Sequence, residues 1–548
     1  MKPLDTDVII VGGGPCGLML ANELGRRGIR AILFDQDAST AINPQANATQ
    51  ARTMEHFRRL GFVDEVRAQG LPADYPTDIA YFTRYSAYEL ARFQLPASGE
   101  TKDLIKQMSG AWSAAELPHR VSQMYVERVM LKHAAKLPTI DLRYEHEVTA
   151  VADHGDHVSA TARHKGRETT VTASYLIGAD GARSVARRHL GFQYTGESGV
   201  QRDFMGGDMH AIYMRAPHLY DLINGERAWM YWSFNKDRRS FMAAVDGKDE
   251  FVFHTQLKPG EDKDKVSETH ARAMFAQTMG CEVDFDIIAR SSWTAGFALV
   301  AEHLQHGRIF IGGDAAHLFT PAGGLGYNTA IEDAVNLGWK LAAVLNGWGG
   351  PALLASYEPE RRPGAVRNTT YARGFADSIG LYTAPPALEE DGPAGDAART
   401  EAGAYLNRHT RAEFNIPGIT FGTRCDGSPI IVSDGTAPPP DAANDYVPTA
   451  CPGGRAPHLW LPDGASLYDK FGFEFTLLRL DGAPETKDLE AAAASRNLPL
   501  SVVDIPGEEA RDLYEAPLAL IRPDQVVAWR GDAVPHDPAA LVDTVRGG

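Results

Sequence analysis

The stretch Asp7–Gly17, with the sequence DVIIVGGGPCG, decides the prediction for the fold of this chain. Its apolar run Val8–Val11 is typical of a strand buried in a parallel sheet. After the glycines, Pro15–Arg26 has the composition of an apolar helix, and it begins with proline, a residue suited to the first helical turn. The stretch therefore predicts a strand, a glycine turn and a helix, which is the opening unit of a doubly wound α/β domain.

The turn carries Gly12, Gly14 and Gly17 in GxGxxG spacing, and the next predicted strand, Ile29–Asp35, ends in an acidic residue. Such glycines allow a tight turn, a close approach of the backbone to a pyrophosphate and close packing of helix on strand, while the acid accepts a hydrogen bond from a ribose. This pattern predicts a dinucleotide site. It does not separate FAD from NAD, and a glycine turn that serves packing alone is the structural alternative.

Composition limits the remaining possibilities. The 548 residues predict three or four domains at about 150 residues each. With 44% apolar residues and a net charge of −17, the chain is typical of a globular protein that does not bind nucleic acid. Its four cysteines are scattered and form no CxxC, so we expect no disulfide framework and no metal site.

The sequence also predicts the compartment. Val8–Val11 is too short for the core of a signal peptide, and no uninterrupted apolar segment of about 18 residues occurs. We therefore expect a cytoplasmic protein without membrane contact.

Two later glycine turns follow predicted strands. Tyr175–Arg187 (YLIGADGARSVAR) breaks at Asp180, and Arg308–His317 (RIFIGGDAAH) delivers Asp314 to the end of its strand. Pro321–Asn328 (PAGGLGYN) then leads into a long apolar helix. Taken singly, these segments are also explained as an Asp-Gly turn and a glycine turn before a buried helix.

Together the three turns resemble the FAD-binding, DG and GD motifs of the single-component (class A) FAD-dependent aromatic hydroxylases, the family of p-hydroxybenzoate hydroxylase. Gly312–Leu341 is the most specific part, and the motifs extend over Asp7–Leu341. Beyond them the chain is similar to the branch of phenol hydroxylase and 3-(3-hydroxyphenyl)propionate hydroxylase. That branch has a C-terminal thioredoxin-like domain, which Pro452–Gly472 and Arg522–Arg530 match. A nitrophenol or nitrocatechol monooxygenase is an alternative within this branch.

The resemblance implies an α/β fold (α+β overall), in which an antiparallel-sheet substrate domain splits a Rossmann-like FAD-binding domain. We assign residues 1–190 and 290–380 to the FAD-binding domain and 191–289 to the substrate domain. A connecting region (381–445) and a thioredoxin-like domain (446–548) follow. Because the last domain has no CxxC, we expect it to support packing or a homodimer and to take no part in redox chemistry.

The resemblance further implies that non-covalent FAD binds through a set of residues from these turns and their neighbours. They are Gly12, Gly14, Pro15, Cys16, Gly17, Asp35, Gln36, Gln45, Arg52, Gln123, Asp180, Gly181, Arg183, Gly313, Asp314, Pro321, Gly324, Gly326, Tyr327 and Asn328. Within this set, Asp314 is expected at the ribityl chain and Arg52 on the flavin side. Asp180 and Arg183 are expected near FAD and reduced nicotinamide, and Asn328 is expected to cap a helix that faces the pyrimidine end.

Three positions depart from the family. Gln45 stands where many relatives have arginine, Leu325 where they often have glutamine, and Asn47 where phenol hydroxylase has an aspartate. An amide can orient a phenolic hydroxyl but cannot take its proton. We therefore consider two hypotheses, a substrate that is already ionised, such as a nitro- or halophenol, or a base elsewhere in the chain. Electron-poor rings resist an electrophile, which argues against the first.

The candidate catalytic residues are Asn47, His210, Tyr213, Tyr231 and Pro321. The alternating aromatic segments 228–234 and 239–245, typical of antiparallel strands, add Trp229 and Phe241 as candidate substrate contacts. Ordinary core or surface roles are the alternative for each.

As the resemblance implies, NAD(P)H reduces FAD, O2 forms a flavin C4a-hydroperoxide, and one oxygen is transferred to the ring of a small phenolic substrate. A polyketide or antibiotic aromatic hydroxylase and a non-oxygenating FAD oxidoreductase are the alternatives, as is a silent nucleotide-binding protein. A halogenase is disfavoured because Trp229–Trp232 does not fit its WxWxIP motif. The choice between NADH and NADPH stays open.

Overall fold

The computed structural model describes residues 3–199, 202 and 204–548. Residues 1, 2, 200, 201 and 203 belong to the predicted domain ranges but lie outside the described residues.

The strands of the described residues are numbered in chain order. They are β1 (Val8–Val11), β2 (Ala31–Phe34), β3 (Ile79–Phe82), β4 (Glu89–Phe93), β5 (Ile140–Arg143), β6 (Glu147–Asp153), β7 (Val158–His164), β8 (Arg167–Ala173), β9 (Tyr175–Gly178), β10 (Tyr194–Glu197), β11 (Asp208–Arg215), β12 (Met230–Phe234), β13 (Arg239–Ala244), β14 (Glu250–Gln256), β15 (Asp286–Thr294), β16 (Ala298–Ala301), β17 (Gln305–His306), β18 (Ile309–Ile311), β19 (His317–Phe319), β20 (Phe475–Leu480), β21 (Leu500–Ile505), β22 (Leu518–Ile521) and β23 (Val527–Gly531).

The α-helices are numbered in the same way. They are α1 (Pro15–Gly25), α2 (Ala51–Arg59), α3 (Val63–Arg67), α4 (Thr101–Gln107), α5 (Gln123–Ala134), α6 (Val185–His189), α7 (Leu219–Leu222), α8 (Glu268–Met279), α9 (Leu325–Leu345), α10 (Pro351–Ala355), α11 (Tyr357–Gly380), α12 (Pro393–Phe414), α13 (Pro417–Phe421), α14 (Lys487–Ser495), α15 (Glu508–Tyr514) and α16 (Pro538–Val545). Every helix of the described residues is too short or too polar to cross a membrane.

The first sheet is the predicted doubly wound one. Its strand order is β17-β18-β9-β1-β2-β5, and all neighbours from β18 to β5 pair in parallel. The four residues of β1 are buried on both faces, because α1 packs on the sheet and β8 of the sheet β6-β7-β8 also contacts β1. The carboxyl ends of β1, β2, β9 and β18 therefore meet at one edge, where ligands bind in such sheets.

The predicted antiparallel sheet has seven strands in the order β15-β11-β14-β13-β12-β3-β4. Two of them, β3 and β4, come from the N-terminal part of the chain that we assigned to the FAD-binding domain, and β15 extends past residue 289. The sheet is thus larger than the assigned range 191–289, because β3 pairs in parallel with β12 across a long separation in sequence that local patterns do not encode.

The region assigned as a connector, 381–445, is also structured. It contains α12, which packs on β4 and β3, and α13. The β3–β4 edge of the antiparallel sheet is therefore covered by α12, a helix that the sequence pattern did not indicate.

The C-terminal part forms a four-stranded sheet of order β21-β20-β22-β23, in which only the pair β20 and β21 is parallel. The sequence pattern predicts strands over Phe475–Leu480 and Leu500–Ile505 and a helix over Lys487–Ser495, which are the observed bounds of β20, β21 and α14. It does not predict α15. The succession of strands and helices agrees with the predicted thioredoxin-like order, and that assignment stays a resemblance.

Buried ion pairs join this C-terminal part to the helices of the first domain. Glu360 on α11 accepts hydrogen bonds from both terminal nitrogens of Arg522 (2.7 and 2.9 Å) and from Lys340 Nζ (2.7 Å). A second pair joins Glu55 on α2 to Arg455. The side chains of Glu360, Lys340 and Arg522 are fully buried, so the two parts of the chain are joined by charged groups that are removed from the surface.

Candidate cofactor and substrate cleft

A cleft of about 1260 Å³ opens at the carboxyl edge of the parallel sheet and continues to the face of the antiparallel sheet. All three predicted glycine turns line it. Its volume exceeds the roughly 300–1,000 Å³ typical of a pocket for one small ligand. The cleft therefore has room for a dinucleotide and a second molecule.

The first turn leaves no space for side chains at two of its glycines. A Cβ at Gly12, whose φ is +107°, would lie 2.1 Å from the carbonyl oxygen of Ala179, and one at Gly17 would lie 1.9 Å from that of Gly12. At Gly14, by contrast, a Cβ would meet nothing within 4 Å. The turn thus brings β1, β9 and α1 into contact and leaves the N-terminal amides of α1 facing the open cleft, as an anion requires.

Asp35 follows β2 at the same edge. Its Oδ2 accepts a hydrogen bond from the Gly13 amide (2.6 Å) and its Oδ1 accepts one from the Asp37 amide (2.8 Å). Burial raises the pKa of Asp35, although these two amides oppose the shift. Each carboxylate oxygen keeps a free lone pair that a ribose hydroxyl can use.

The second and third turns present Asp180 and Asp314. Asp180 Oδ2 accepts from the Val185 amide (2.6 Å), while its buried Oδ1 has no partner among the described residues. The side chain of Asp314 projects into the cleft, and within the described part of the chain no donor hydrogen-bonds to its carboxylate. Burial raises the pKa of Asp180, and the surrounding walls of the cleft raise that of Asp314 because they limit its hydration. Among the described residues, Oδ1 of Asp180 and both carboxylate oxygens of Asp314 have no protein donor, so a hydroxyl-bearing ligand such as a ribityl chain fits here.

At its far end the cleft has an aromatic wall. Met230 and Trp232 on β12, Phe241 on β13 and Trp293 on β15 lie on the face of the antiparallel sheet that looks toward the glycine turns. Phe297, Phe319 and Phe414 close the sides at the same end. The indole nitrogens of Trp232 and Trp293 are buried and have no acceptor among the described residues. This end suits a flat apolar ligand that carries oxygen atoms.

One carboxylate borders this aromatic end. Glu413, near the end of α12, is 3% exposed, and its Oε1 accepts a hydrogen bond from the Gly323 amide (2.8 Å) in the third glycine turn. Nε2 of His409, one helical turn earlier, lies 2.9 Å from its Oε2. The loop Pro321–Gly324 is thereby tied to α12, and an acid–base group lies beside the aromatic wall.

Comparison with known proteins now decides the family. A family model described as an FAD binding domain matches residues 5–372, and one described as the C-terminal part of aromatic-ring hydroxylases matches residues 449–547. The chain belongs to the class A FAD-dependent aromatic hydroxylases. It is a flavoprotein monooxygenase with FAD as cofactor, and NAD(P)H as co-substrate is typical of the family.

Individual relatives agree with this. FAD-dependent monooxygenase apdD of Emericella nidulans is 32% identical over 96% of this chain and 88% of its own length. Phenol 2-monooxygenase of a Pseudomonas species is 31% identical, over 99% of this chain and 93% of its own length. The solved structure of the rebeccamycin biosynthetic enzyme RebC with reduced flavin is 32% identical, covers 100% of both chains and superposes with a TM-score of 0.87.

The cleft of this hydroxylase brings together most residues predicted for the cofactor, and Asn47 with them. Those that line it are Gly12, Gly14, Pro15, Cys16, Asp35, Gln36, Gln45, Asn47, Gln123, Asp180, Gly181, Arg183, Gly313, Asp314, Pro321, Gly324, Gly326 and Tyr327. Their contacts with FAD stay predictions. Gly17 lies behind the turn, where it serves packing.

Arg52 does not lie where the resemblance placed it. The guanidinium of Arg52 donates to Gln525 Oε1 and to the carbonyl oxygen of Asp524, both at 2.6 Å, and forms an ion pair with Glu55. It is buried against the C-terminal part of the chain and does not line the cleft. Its role as a flavin-side residue is therefore corrected to that of an interdomain contact.

Asn328 is corrected in a similar way. Helix α9 begins at Leu325 and its N-cap residue is Gly324, so Asn328 lies inside the first turn and caps nothing. Its Oδ1 accepts hydrogen bonds from the Gln50 amide and the Thr53 hydroxyl, and its Nδ2 donates to two backbone carbonyls. These bonds join α9 to the start of α2. They occupy both the oxygen and the nitrogen of the Asn328 side-chain amide with protein partners.

Three candidate catalytic residues also lie away from the cleft. His210 and Tyr231 point to the opposite face of the antiparallel sheet, where Tyr231 accepts a hydrogen bond from the Ala228 amide. Tyr213 is on the cleft-side face but lies further along its strand, where its hydroxyl bonds Glu250. The physical reason is strand alternation, since side chains on adjacent positions point to opposite faces.

Glu413 and Trp293 were not identified from the sequence. Trp293 lies in β15, outside the two alternating segments, and Glu413 lies in the region assigned as a connector. A helical pattern over Pro393–Phe414 would have been the signal for the second, but its position against the cleft depends on tertiary packing.

Proposed function

We propose that this enzyme hydroxylates the ring of a phenol or catechol with NAD(P)H and O2, and that Glu413 takes the phenolic proton. The observation that carries the proposal is the carboxylate of Glu413 beside an aromatic wall, tied to the glycine loop Pro321–Gly324.

Several groups of this chain are suited to bind the successive parts of FAD. The α1 amides face the position of a pyrophosphate, Asp35 that of a ribose, and Asp314 that of a ribityl chain. The N-terminus of α9 points at the loop that would border the isoalloxazine ring, and its positive end favours negative charge there. Bound FAD supplies electron transfer from NAD(P)H and activation of O2.

The protein's part is to hold the aromatic ring and exclude water. Trp232, Phe241 and Trp293 offer flat surfaces on which a ring can stack, and their apolar rings exclude water from the far end of the cleft. Asn47 lines the same cleft, and its buried Oδ1 is without a partner among the described residues. Its amide can accept a hydrogen bond from a substrate hydroxyl, which orients the ring.

Deprotonation of the phenol makes the ring more electron-rich, as attack on an electrophilic oxygen requires. The proton passes from the phenolic oxygen to the Glu413 carboxylate, beside which the His409 imidazole lies, with 2.9 Å between Nε2 and Oε2. His409 Nδ1 is 3.0 Å from the Ser378 hydroxyl, which leads toward the half-buried Tyr405. A base on α12 removes the need for an already ionised substrate, so an ordinary phenol fits the site.

A second candidate is a polycyclic aromatic substrate. The similarity to RebC, a rebeccamycin biosynthetic enzyme, supports it, as does an aromatic wall built from three strands of the antiparallel sheet. Monocyclic and polycyclic phenols therefore both belong in the test.

The deciding experiment measures NAD(P)H consumption and product formation with purified, FAD-loaded enzyme and a panel of phenols, catechols and polycyclic phenols. Each phenol is paired with its methyl ether, which keeps the ring but lacks the ionisable hydroxyl. We expect slow NAD(P)H oxidation without substrate, faster oxidation with a fitting phenol, and hydroxylated product only from the phenol. Equal rates with and without every phenol would refute the proposal. Nitro- and halophenols in the panel report whether a substituent is displaced.

A further inference from the structure

A second, smaller cavity lies beside the aromatic end of the cleft. It has a volume of about 170 Å³ and is walled mainly by apolar side chains of α4 and the segments around it, among them Phe93, Leu104 and Trp112. Phe414 lines this cavity and the cleft, so its ring is part of the partition between them. An apolar protein cavity of about 150 Å³ is large enough to bind benzene. The smaller cavity can thus hold one monocyclic molecule.

Arg120 brings a positive charge to this apolar cavity. It lines the cavity, is 7% exposed, and places its guanidinium carbon 4.5 Å from the ring centroid of Trp229 and 5.8 Å from that of Phe414. No aspartate or glutamate is among the residues that line the cavity. Burial lowers the pKa of Arg120 to about 10, so the group is still charged at neutral pH.

The guanidinium of Arg120 has no hydrogen-bond acceptor and no carboxylate among the described residues. Other buried arginines have one: Arg455 pairs with Glu55 and Arg522 with Glu360. A buried charge without a counter-ion is unfavourable, and the two aromatic rings offset only part of the cost. The unpaired cation therefore marks a position where a ligand anion is stabilised.

One further donor faces the same cavity. Asn415 lines it, and its Oδ1 accepts a hydrogen bond from Trp112 Nε1 at 2.9 Å. This bond orients the amide and leaves Nδ2 available, because that nitrogen donates to no acceptor among the described residues. A charged donor and a neutral donor on an apolar cavity are the complement of a carboxylate on a small hydrocarbon body.

We propose that this cavity is a second ligand site, separate from the cleft, that binds a small apolar anion, a monocyclic carboxylate or phenolate, through Arg120. Binding at this site requires neither catalysis nor a substrate in the cleft. The proposal can therefore be tested independently of the proposed reaction.

The test measures the binding of benzoate to FAD-loaded enzyme by isothermal titration calorimetry. Benzamide, the neutral analogue, serves as the control ligand. Arg120→Gln removes the charge, and Leu104→Trp fills the cavity from the half-buried helix α4 on the side away from the flavin turns. Arg411→Gln is the matched control, since Arg411 lies over Phe93 but does not line the cavity. Flavin absorbance of each variant shows whether the cleft is intact.

We expect benzoate to bind the unmodified enzyme about tenfold more tightly than it binds Arg120→Gln, because that variant lacks the charge-assisted hydrogen bond. Binding to Leu104→Trp should be weakened about as much, because the larger side chain occupies the cavity. Arg411→Gln should match the unmodified enzyme, and benzamide should bind weakly to all. Absence of benzoate binding, or equal affinity in Leu104→Trp and the unmodified enzyme, overturns the proposal, because the probe then binds elsewhere or not at all. If Arg120→Gln fails to retain flavin, Leu104→Trp alone decides.

Discussion

Glu413 is the residue on which the proposed chemistry depends. Its carboxylate borders the aromatic end of the cleft, and its Oε1 is held by the Gly323 amide. In Glu413→Gln the amide keeps the shape but cannot accept a proton. We expect kcat for a phenol that is neutral at the assay pH to fall about a hundredfold, within the range of a lost general base.

The control for this prediction is a nitrophenol that is ionised at the same pH, since it needs no base. Its turnover should change little in Glu413→Gln, and flavin content should be unchanged. If both phenols lose activity in the same proportion, Glu413 has a structural role and the base lies elsewhere.

The residues at the glycine turns could be predicted because their chemistry is local. Gly12 and Asp35 belong to one continuous β1–α1–β2 unit, in which the Gly13 amide donates a hydrogen bond to Asp35 Oδ2. Arg52 and Glu413 could not be placed in this way. Their partners, Gln525 and Gly323, are far away in the chain, so only the packed structure shows what they contact.

At the level of elements, the two faces of the antiparallel sheet have different functions. Trp232 and Phe241 form a cross-strand pair that looks into the cleft, whereas Tyr231, one position earlier on β12, points to the other side. The sequence predicts the strands but not which of their faces meets the cleft. The alternation of side chains shows which residues share a face, but it does not show which face is turned to the cleft. Helix α8, which packs through Phe275 on Phe253, covers the far face.

This arrangement predicts opposite effects for two neighbouring substitutions. Phe241→Ala removes part of the aromatic wall and should raise KM for the phenol about tenfold, with little change in the melting temperature relative to Tyr231→Phe. Tyr231→Phe leaves the Ala228 amide without its acceptor, which lies 2.7 Å away, and should cost about 1–3 kcal/mol of stability with KM unchanged. Steady-state kinetics and thermal unfolding of both variants check the assignment. A raised KM in Tyr231→Phe would contradict it.

At the scale of the whole molecule, the C-terminal part is held to the cofactor-binding helices by Glu360. This carboxylate lies on α11 and bonds Lys340 on α9 and Arg522 in the segment between β22 and β23. Helix α9 begins at the glycine loop of the cleft, so the buried cluster supports the same helix whose N-terminus borders the active site. The C-terminal part thus has a structural function that requires no cysteine pair.

The pH dependence of this contact follows from its charges. Burial alone would raise the pKa of Glu360, but Arg522 and Lys340 overcome that effect and hold the pKa well below its ordinary value. A carboxyl whose folded-state pKa is lowered stabilises the fold above its unfolded pKa, which is about 4.3 for glutamate. That contribution is lost only as the pH falls through the lower, folded-state value.

We therefore expect Glu360→Gln to lose about 3–5 kcal/mol of stability at neutral pH, since it leaves Arg522 and Lys340 buried without a full counter-charge. Urea unfolding of the FAD-loaded enzyme measures the loss, and Glu282→Gln, at an exposed glutamate, is the control. The difference in free energy of unfolding between Glu360→Gln and the unmodified enzyme should stay constant down to mildly acidic pH. This difference in stability should narrow only below the ordinary pKa of glutamate, where proton uptake by Glu360 begins to favour the unfolded state of the unmodified enzyme. A difference that is absent at neutral pH, or that widens as the pH falls, would mean that Glu360 does not hold the two parts together.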